Sequence, residues 1–261
     1  MTAFETVELD AAGAVGTIAL NRPEKLNPLS TATLRELAAA ARWFDERPAV
    51  KVVVVCGRGR AFSAGADVSV FAEGAPSTAE QRSAADAGRL MAESIEAMRA
   101  VTVARIHGHC VGGGVVLAAA CDLRLAAEGA RFSIPEVALG IPLAWGGVQR
   151  LVREIGPAMT RELVLTCRPF DAAEARALGF LNRVVPDAEL EAATGELCDV
   201  LCSRSALTLE ATKRAVAAAS EELVPTGSAW SDADALLSAL ADPDSRAVAA
   251  AYLASLGRGR G

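Results

Sequence analysis

Val101-Thr-Val-Ala-Arg-Ile-His107-Gly-His-Cys-Val-Gly112-Gly-Gly114-Val-Val-Leu-Ala-Ala-Ala-Cys121-Asp-Leu-Arg-Leu-Ala-Ala127 decides the fold class. The stretch opens on a β-branched run, Val101–His107, and turns on the glycine triplet 112–114. It continues as an Ala-rich helix ending near Cys121 and returns to a strand-like Leu123–Ala127. Strands alternating with helices mean an α/β architecture.

Upstream, Lys51-Val-Val-Val-Val-Cys56 is a continuous apolar run of the kind buried on both faces. Before it, Ser30 precedes Leu34, Leu37, Ala38, Ala41 and Phe44 at helical spacing, an amphipathic helix with a cap. Glu5–Asp10 and Val15–Leu20, separated by Ala-Ala-Gly, read as a hairpin. A long helical segment carries Leu90, Met91, Ile95 and Met98 on one expected face. After about Pro186 the strand signals stop. Glu189–Cys202, Leu207–Ser220 and Trp230–Leu256, the last broken at Asp242-Pro243, all read as helix. The division expected is therefore a core over 1–186 and a helical region over 187–261.

Composition narrows the function classes. With 261 residues and 52% hydrophobic content the chain is large enough for one sizeable core. A net charge of −6 argues against nucleic-acid binding, which needs a basic footprint. The first ten residues lack the basic start and apolar run of a secretory signal, and Cys110–Cys121 is too short to span a bilayer. The expectation is a cytoplasmic protein with no membrane partner. Six cysteines sit in apolar segments, as reduced thiols do. Cys198 and Cys202 are one helical turn apart with no histidine near them, a pattern of buried packing rather than of metal binding.

Two glycine-rich turns follow buried strands and open helices: Gly57-Arg-Gly-Arg-Ala-Phe-Ser-Ala-Gly-Ala-Asp67 and Gly108-His-Cys-Val-Gly-Gly-Gly114. Helix starts expose unpaired N–H groups, so two such turns converging would hold an oxyanion. A dinucleotide fingerprint fails because Phe62 stands where the third glycine belongs. A P-loop fails for want of Gly-Lys-Ser/Thr. Ala61-Phe-Ser63-Ala-Gly65 is similar to a nucleophile elbow, which keeps a serine hydrolase as an alternative; the only histidines, His107 and His109, are not late in the chain.

Five stretches together resemble the enoyl-CoA hydratase/isomerase (crotonase) superfamily: Leu20-Asn-Arg-Pro-Glu-Lys-Leu-Asn-Pro-Leu29, Ala61-Phe-Ser-Ala-Gly-Ala-Asp67, Gly108 to Asp122, Phe132-Ser-Ile-Pro-Glu-Val-Ala-Leu-Gly140 and Gly146-Gly-Val-Gln-Arg-Leu151. The resemblance implies a spiral of ββα units with a C-terminal helical oligomerisation region, assembled as a homotrimer or a dimer of trimers. It implies an acyl-CoA thioester as substrate, with coenzyme A entering as part of it, and no metal or redox cofactor. The oxyanion-hole amides it implies are those of Ala66 and Gly113. Ala64, Asp67, Lys25, Val116 and Trp145 are the implied substrate-contacting positions.

One position departs from the pattern. Two-glutamate hydratases of this family carry their first catalytic glutamate two residues after the glycine triplet, and that position is Val116; the second is matched by Glu136. Valine neither orients water nor moves a proton, whereas a single carboxylate can shift a proton between two carbons, as the family's enoyl-CoA isomerases do. Isomerase-like chemistry at Glu136 is thus slightly favoured, with an atypical hydratase and a non-catalytic acyl-CoA-binding protein as alternatives. Apolar neighbours such as Val116, Ile134 and Trp145 are expected to raise the Glu136 pKa. A second reading of Glu136 stands beside this one: Ser133-x-x-Glu136 spells a capping box. Asp67 reads as a helix cap, Asp122 as an ion-pair partner, and Lys25, Arg58 and Arg60 as candidates for the CoA phosphates. Trp145, where relatives have a small residue, either shortens the acyl pocket or packs in the core.

Overall fold

A computed structural model describes residues 4–67 and 77–258. The chain opens with the hairpin β1 (Val7–Ala12) and β2 (Val15–Leu20), followed by helix α1 (Thr31–Asp45) and strand β3 (Val52–Gly57). β1 starts later than the Glu5 expected because the amides of Glu5 and Thr6 are held by the Glu36 carboxylate of α1, at 3.0 and 2.8 Å. Ser30 caps α1, its hydroxyl accepting from Thr33 N–H at 3.2 Å. Phe44 of that helix lies so close to β2 that a Cβ at Gly16 would stand 2.2 Å from its ring.

Helix α2 (Thr78–Glu96) and strand β4 (Val101–Ile106) follow, then β5 (His109–Val111), α3 (Gly113–Ala119), β6 (Leu123–Ala127) and β7 (Arg131–Ser133). Leu90 does not share the inner face of α2. That face is Ala87, Met91 and Ile95, one turn apart, which leaves Leu90 47% exposed. Beyond lie α4 (Gly147–Thr166), β8 (Phe170–Asp171), α5 (Ala172–Ala177), β9 (Arg183–Val185), α6 (Leu190–Cys202), α7 (Ala206–Leu223), α8 (Asp232–Ala241) and α9 (Pro243–Arg258).

The main sheet runs β1-β2-β3-β4-β6-β9, parallel except for the opening hairpin. Both of its faces are covered, so β3 alternates between two cores. Val53 and Val55 point to the large one with Leu37, Phe44, Met91 and Ile95, while Val52, Val54 and Cys56 meet Leu190, Leu197 and Cys198 of α6. The last strand ends at Val185 and every later element is helical, yet α6 packs on the sheet as part of the core.

A second sheet, β5-β7-β8, positions the site. β5 and β7 are parallel with Val111 opposite Ser133, so the segments that leave them, Gly112–Gly113 and Ile134–Glu136, run out side by side. On the other flank of β5, Ser63 bridges Cys110. Three chain segments thus converge at one end of β5. No helix among the described residues is long and apolar enough to cross a membrane.

Candidate active site

The turn after β3 is braced from two directions. Asn27, 1% exposed, accepts from Arg22 N–H at 2.9 Å and donates to the carbonyls of Arg58 and Ala61, both at 2.9 Å. Its backbone is left-handed (φ 55°), which asparagine tolerates. Leu29 pairs with the turn like a short strand, its N–H donating to Gly65 O at 2.8 Å and its carbonyl accepting from Asp67 N–H at 3.1 Å. Those two bonds flank Ala66, whose own N–H finds no acceptor among the described residues.

Gly113 opens α3, and its N–H likewise meets no protein acceptor among the described residues. The two turns touch: a Cβ at Gly65 would lie 3.7 Å from Gly113 N and 2.8 Å from Val111 O. Gly112 adopts φ 50° and donates to Ser133 O at 2.8 Å, extending the β5–β7 ladder by one bond. A Cβ at Gly112 would sit 2.3 Å from Glu136 Oε1, so the carboxyl group lies directly on the residue before Gly113.

Glu136 is 8% exposed and its Oε2 has no hydrogen-bond partner. Burial pushes its pKa up to about 7, opposed only in part by its own backbone N–H. The capping-box geometry does not form. Residues 136–140 make a turn, with Leu139 and Ile141 N–H donating to Glu136 O at 3.0 Å each, and no helix starts there. The carboxylate is therefore left over from the backbone's requirements.

Val116 is 1% exposed within α3 and packs against the start of α4, where a Cβ at Gly147 would stand 2.8 Å from it. Trp145 has a left-handed backbone (φ 65°), rare for a bulky side chain. Its ring occupies the space beside two glycines: a Cβ at Gly88 of α2 would be 2.0 Å from it, and one at Gly113 2.4 Å. Trp145 thus walls the Gly113 amide while packing on both apolar clusters of that region.

The remaining candidates fall around or away from this centre. Ala64 is half-buried, its N–H donating to Leu26 O at 2.8 Å. Asp67 pairs with Arg22 at 3.2 Å; the helix it was expected to cap lies outside the described residues. Lys25 is exposed on a single 3-10 turn, Pro23–Lys25. Arg58 and Arg60 are exposed too, and Arg58 is bound to Glu8 at 2.9 Å. Asp122 is an ion-pair partner of Lys213 at 2.8 Å rather than of nearby Arg124, which meets Glu154. Ser63 is fully buried, donating to Asn27 O at 2.8 Å and accepting from Gly65 N–H at 3.1 Å. Its hydroxyl braces the turn, and among the described residues no histidine side chain bonds it. No group of three or more His, Cys, Asp or Glu among the described residues is arranged to hold a metal ion.

Sequence reasoning did not single out Asn27, inside the first motif stretch. The Asn27-Pro28 dipeptide, a turn former, was the available signal.

Comparison with known proteins agrees in extent with these features. The profile of the family described as Enoyl-CoA hydratase/isomerase matches residues 10–253. A probable enoyl-CoA hydratase of Mycobacterium tuberculosis is 36% identical over 224 residues, covering 86% of this chain and 86% of that protein. A crotonyl-CoA hydratase of Syntrophomonas wolfei is 35% identical, with 82% of each covered. The crystal structure of an enoyl-CoA hydratase from Mycobacterium avium subsp. paratuberculosis superposes with a TM-score of 0.87 at 28% identity, covering 96% of this chain and all of that one.

Proposed function

The chain belongs to the enoyl-CoA hydratase/isomerase family, and from that premise we propose that it transfers a proton at the α-carbon of an acyl-CoA thioester. In this reading the N–H groups of Ala66 and Gly113 hold the thioester oxygen and Glu136 is the base and the acid. The observation that carries it is a buried carboxyl with one unpartnered oxygen and a pKa near 7, lying on the residue next to an amide that has no protein acceptor. A group poised near neutral pH both takes and returns a proton.

For a 3-enoyl-CoA the steps balance on this one group. The C2–H bond breaks with its proton passing to Glu136, and the electron pair spreads over the dienolate, whose oxygen takes both amide hydrogen bonds. The proton then returns to C4 and the double bond rests between C2 and C3. Valine at 116 favours this isomerase-like route, since it supplies no second carboxylate. Hydration is the second reading, favoured by the names of the relatives above. Trp145 beside Gly113 is the wall against which the acyl group rests, and Lys25 and Arg60 are the exposed cations available to the CoA phosphates. The assembly proposed is a homotrimer or a dimer of trimers.

Offered a 3-enoyl-CoA and crotonyl-CoA in separate assays, the protein should raise the conjugated-enoyl absorbance with the first. Loss of absorbance with crotonyl-CoA would select hydration, and binding without either change would mark a non-catalytic binder. Glu136→Gln should cut turnover by about a hundredfold or more; full turnover in that variant would sink the assignment.

A further inference from the structure

Cys167 closes α4 in the left-handed region (φ 55°, ψ 15°), the conformation that ends many helices and that glycine adopts most easily. A Cβ there is a steric cost, and the cap does not need it. The bond that ends the helix is made by the backbone, Cys167 N–H donating to Leu163 O at 3.1 Å. The side chain is engaged elsewhere. Its thiol donates to Val164 O at 3.5 Å, and its sulfur accepts from Ala138 N–H at 3.3 Å.

The second sheet brings these two segments together. β7 and β8 are antiparallel with Phe132 opposite Phe170, and the two rings stack with centroids 5.3 Å apart. The chain leaving β7 toward Glu136 therefore runs beside the chain that enters β8 from α4. The corner carrying the thiol is fixed without the sulfur, because Arg168 bonds Glu162 of α4 at 2.8 Å and Glu174 of α5 at 2.6 Å. The turn it reaches has fewer ties. Leu139 and Gly140 donate back to carbonyls of residues 135–137, whereas the Ala138 bond leaves the turn. On its entry side Glu136 is anchored through the β5–β7 ladder and the Gly112 bond to Ser133. Beyond Ala138 the turn meets α9 by close packing, a Cβ at Gly140 standing 2.1 Å from Ser245 O.

Given the role proposed for Glu136, we propose that Cys167 is a positioning residue, its sulfur fixing the second residue after Glu136 and thereby the setting of the carboxyl group against Gly112. The strained cap and the bond to Ala138 are then two sides of one arrangement: a residue that is poor for the helix end is good for the turn beside it. No bond of the thiol is made or broken in the reaction.

The test compares Cys167→Ser, Cys167→Ala and Cys167→Gly in the full chain. Glycine relieves the left-handed backbone, so Cys167→Gly should melt above Cys167→Ala and loss of fold does not confuse the reading. Hydrogen exchange at the Ala138 amide should be about tenfold faster in the alanine and glycine variants and near the wild-type rate in the serine variant, whose oxygen still accepts. Deuterium uptake at the α-carbon of saturating butyryl-CoA should fall about tenfold in those same two variants, with KM within about twofold. The serine variant should stay within about threefold of the wild-type rate. Wild-type uptake in Cys167→Gly, or a serine variant as slow as the glycine one, overturns the proposal. Should Glu136→Gln keep full turnover, it is the base assignment that fails, and the Ala138 amide then reads by itself whether the thiol holds the turn.

Discussion

At the residue scale the chemistry proposed comes down to where one carboxyl group is put. Glu136 titrates near 7 against 4.5 for an ordinary glutamate, so folding takes up a proton between those values. The stability lost to the buried charge is absent below pH 4.5, grows through pH 7 and is constant above it. The full span corresponds to about 3 kcal/mol. Glu136→Gln should therefore raise the melting temperature more at pH 8 than at pH 5, even as it removes activity; an equal effect at both would show that the group is solvated. Gly112→Ala is expected to do the opposite. Its backbone at φ 50° and a Cβ 2.3 Å from Oε1 force the carboxylate aside, so both stability and turnover should fall. Glu136 and Gly113 stand out as candidates in the sequence because each lies in a motif of several residues. The backbone role of Ser133-x-x-Glu136 was misleading, since a capping box needs a helix and the chain makes only a turn.

At the scale of elements, strands and caps that announce themselves locally were readable, as with β3 and the Ser30 cap of α1. What was not readable depends on distant partners. The β5-β7-β8 sheet consists of two- and three-residue strands whose pairing is entirely tertiary. Helix α4 is interrupted at Gly156 (φ 72°) before Pro157, which hides its period. Asn27 is the joint between two of the site-forming segments. Asn27→Ala leaves three backbone groups without their side-chain partner and strains a left-handed residue, so a loss of about 2–4 kcal/mol is expected in urea unfolding. Turnover should fall in folded protein as well, because Asn27 braces the turn that carries Ala66. Asn27→Gly should recover the strain portion alone, a split that equilibrium unfolding of the two variants reads directly.

For the whole molecule, the order of the main sheet puts α1 and α2 over one face and α6 over the other, leaving α7 outside both cores. No residue of α7 is buried, and Val216 and Leu223, seven residues apart on one side of it, are 62% and 82% exposed. Such an apolar surface is expected at a contact between copies of the chain. Sedimentation should report three or six chains, and Val216→Glu with Leu223→Glu should lower that number without unfolding the protein. A wild-type monomer would contradict the assembly.

In the chemistry proposed, the amides of Ala66 and Gly113 stabilise an enolate formed when Glu136 takes the α-proton. Butyryl-CoA, which can be neither hydrated nor isomerised, isolates that step. Incubated with the protein in heavy water and followed by mass spectrometry, it should acquire deuterium at the α-carbon, with exchange abolished in Glu136→Gln that still binds the thioester. Tight binding with no exchange in the wild type, or undiminished exchange in the variant, would contradict it.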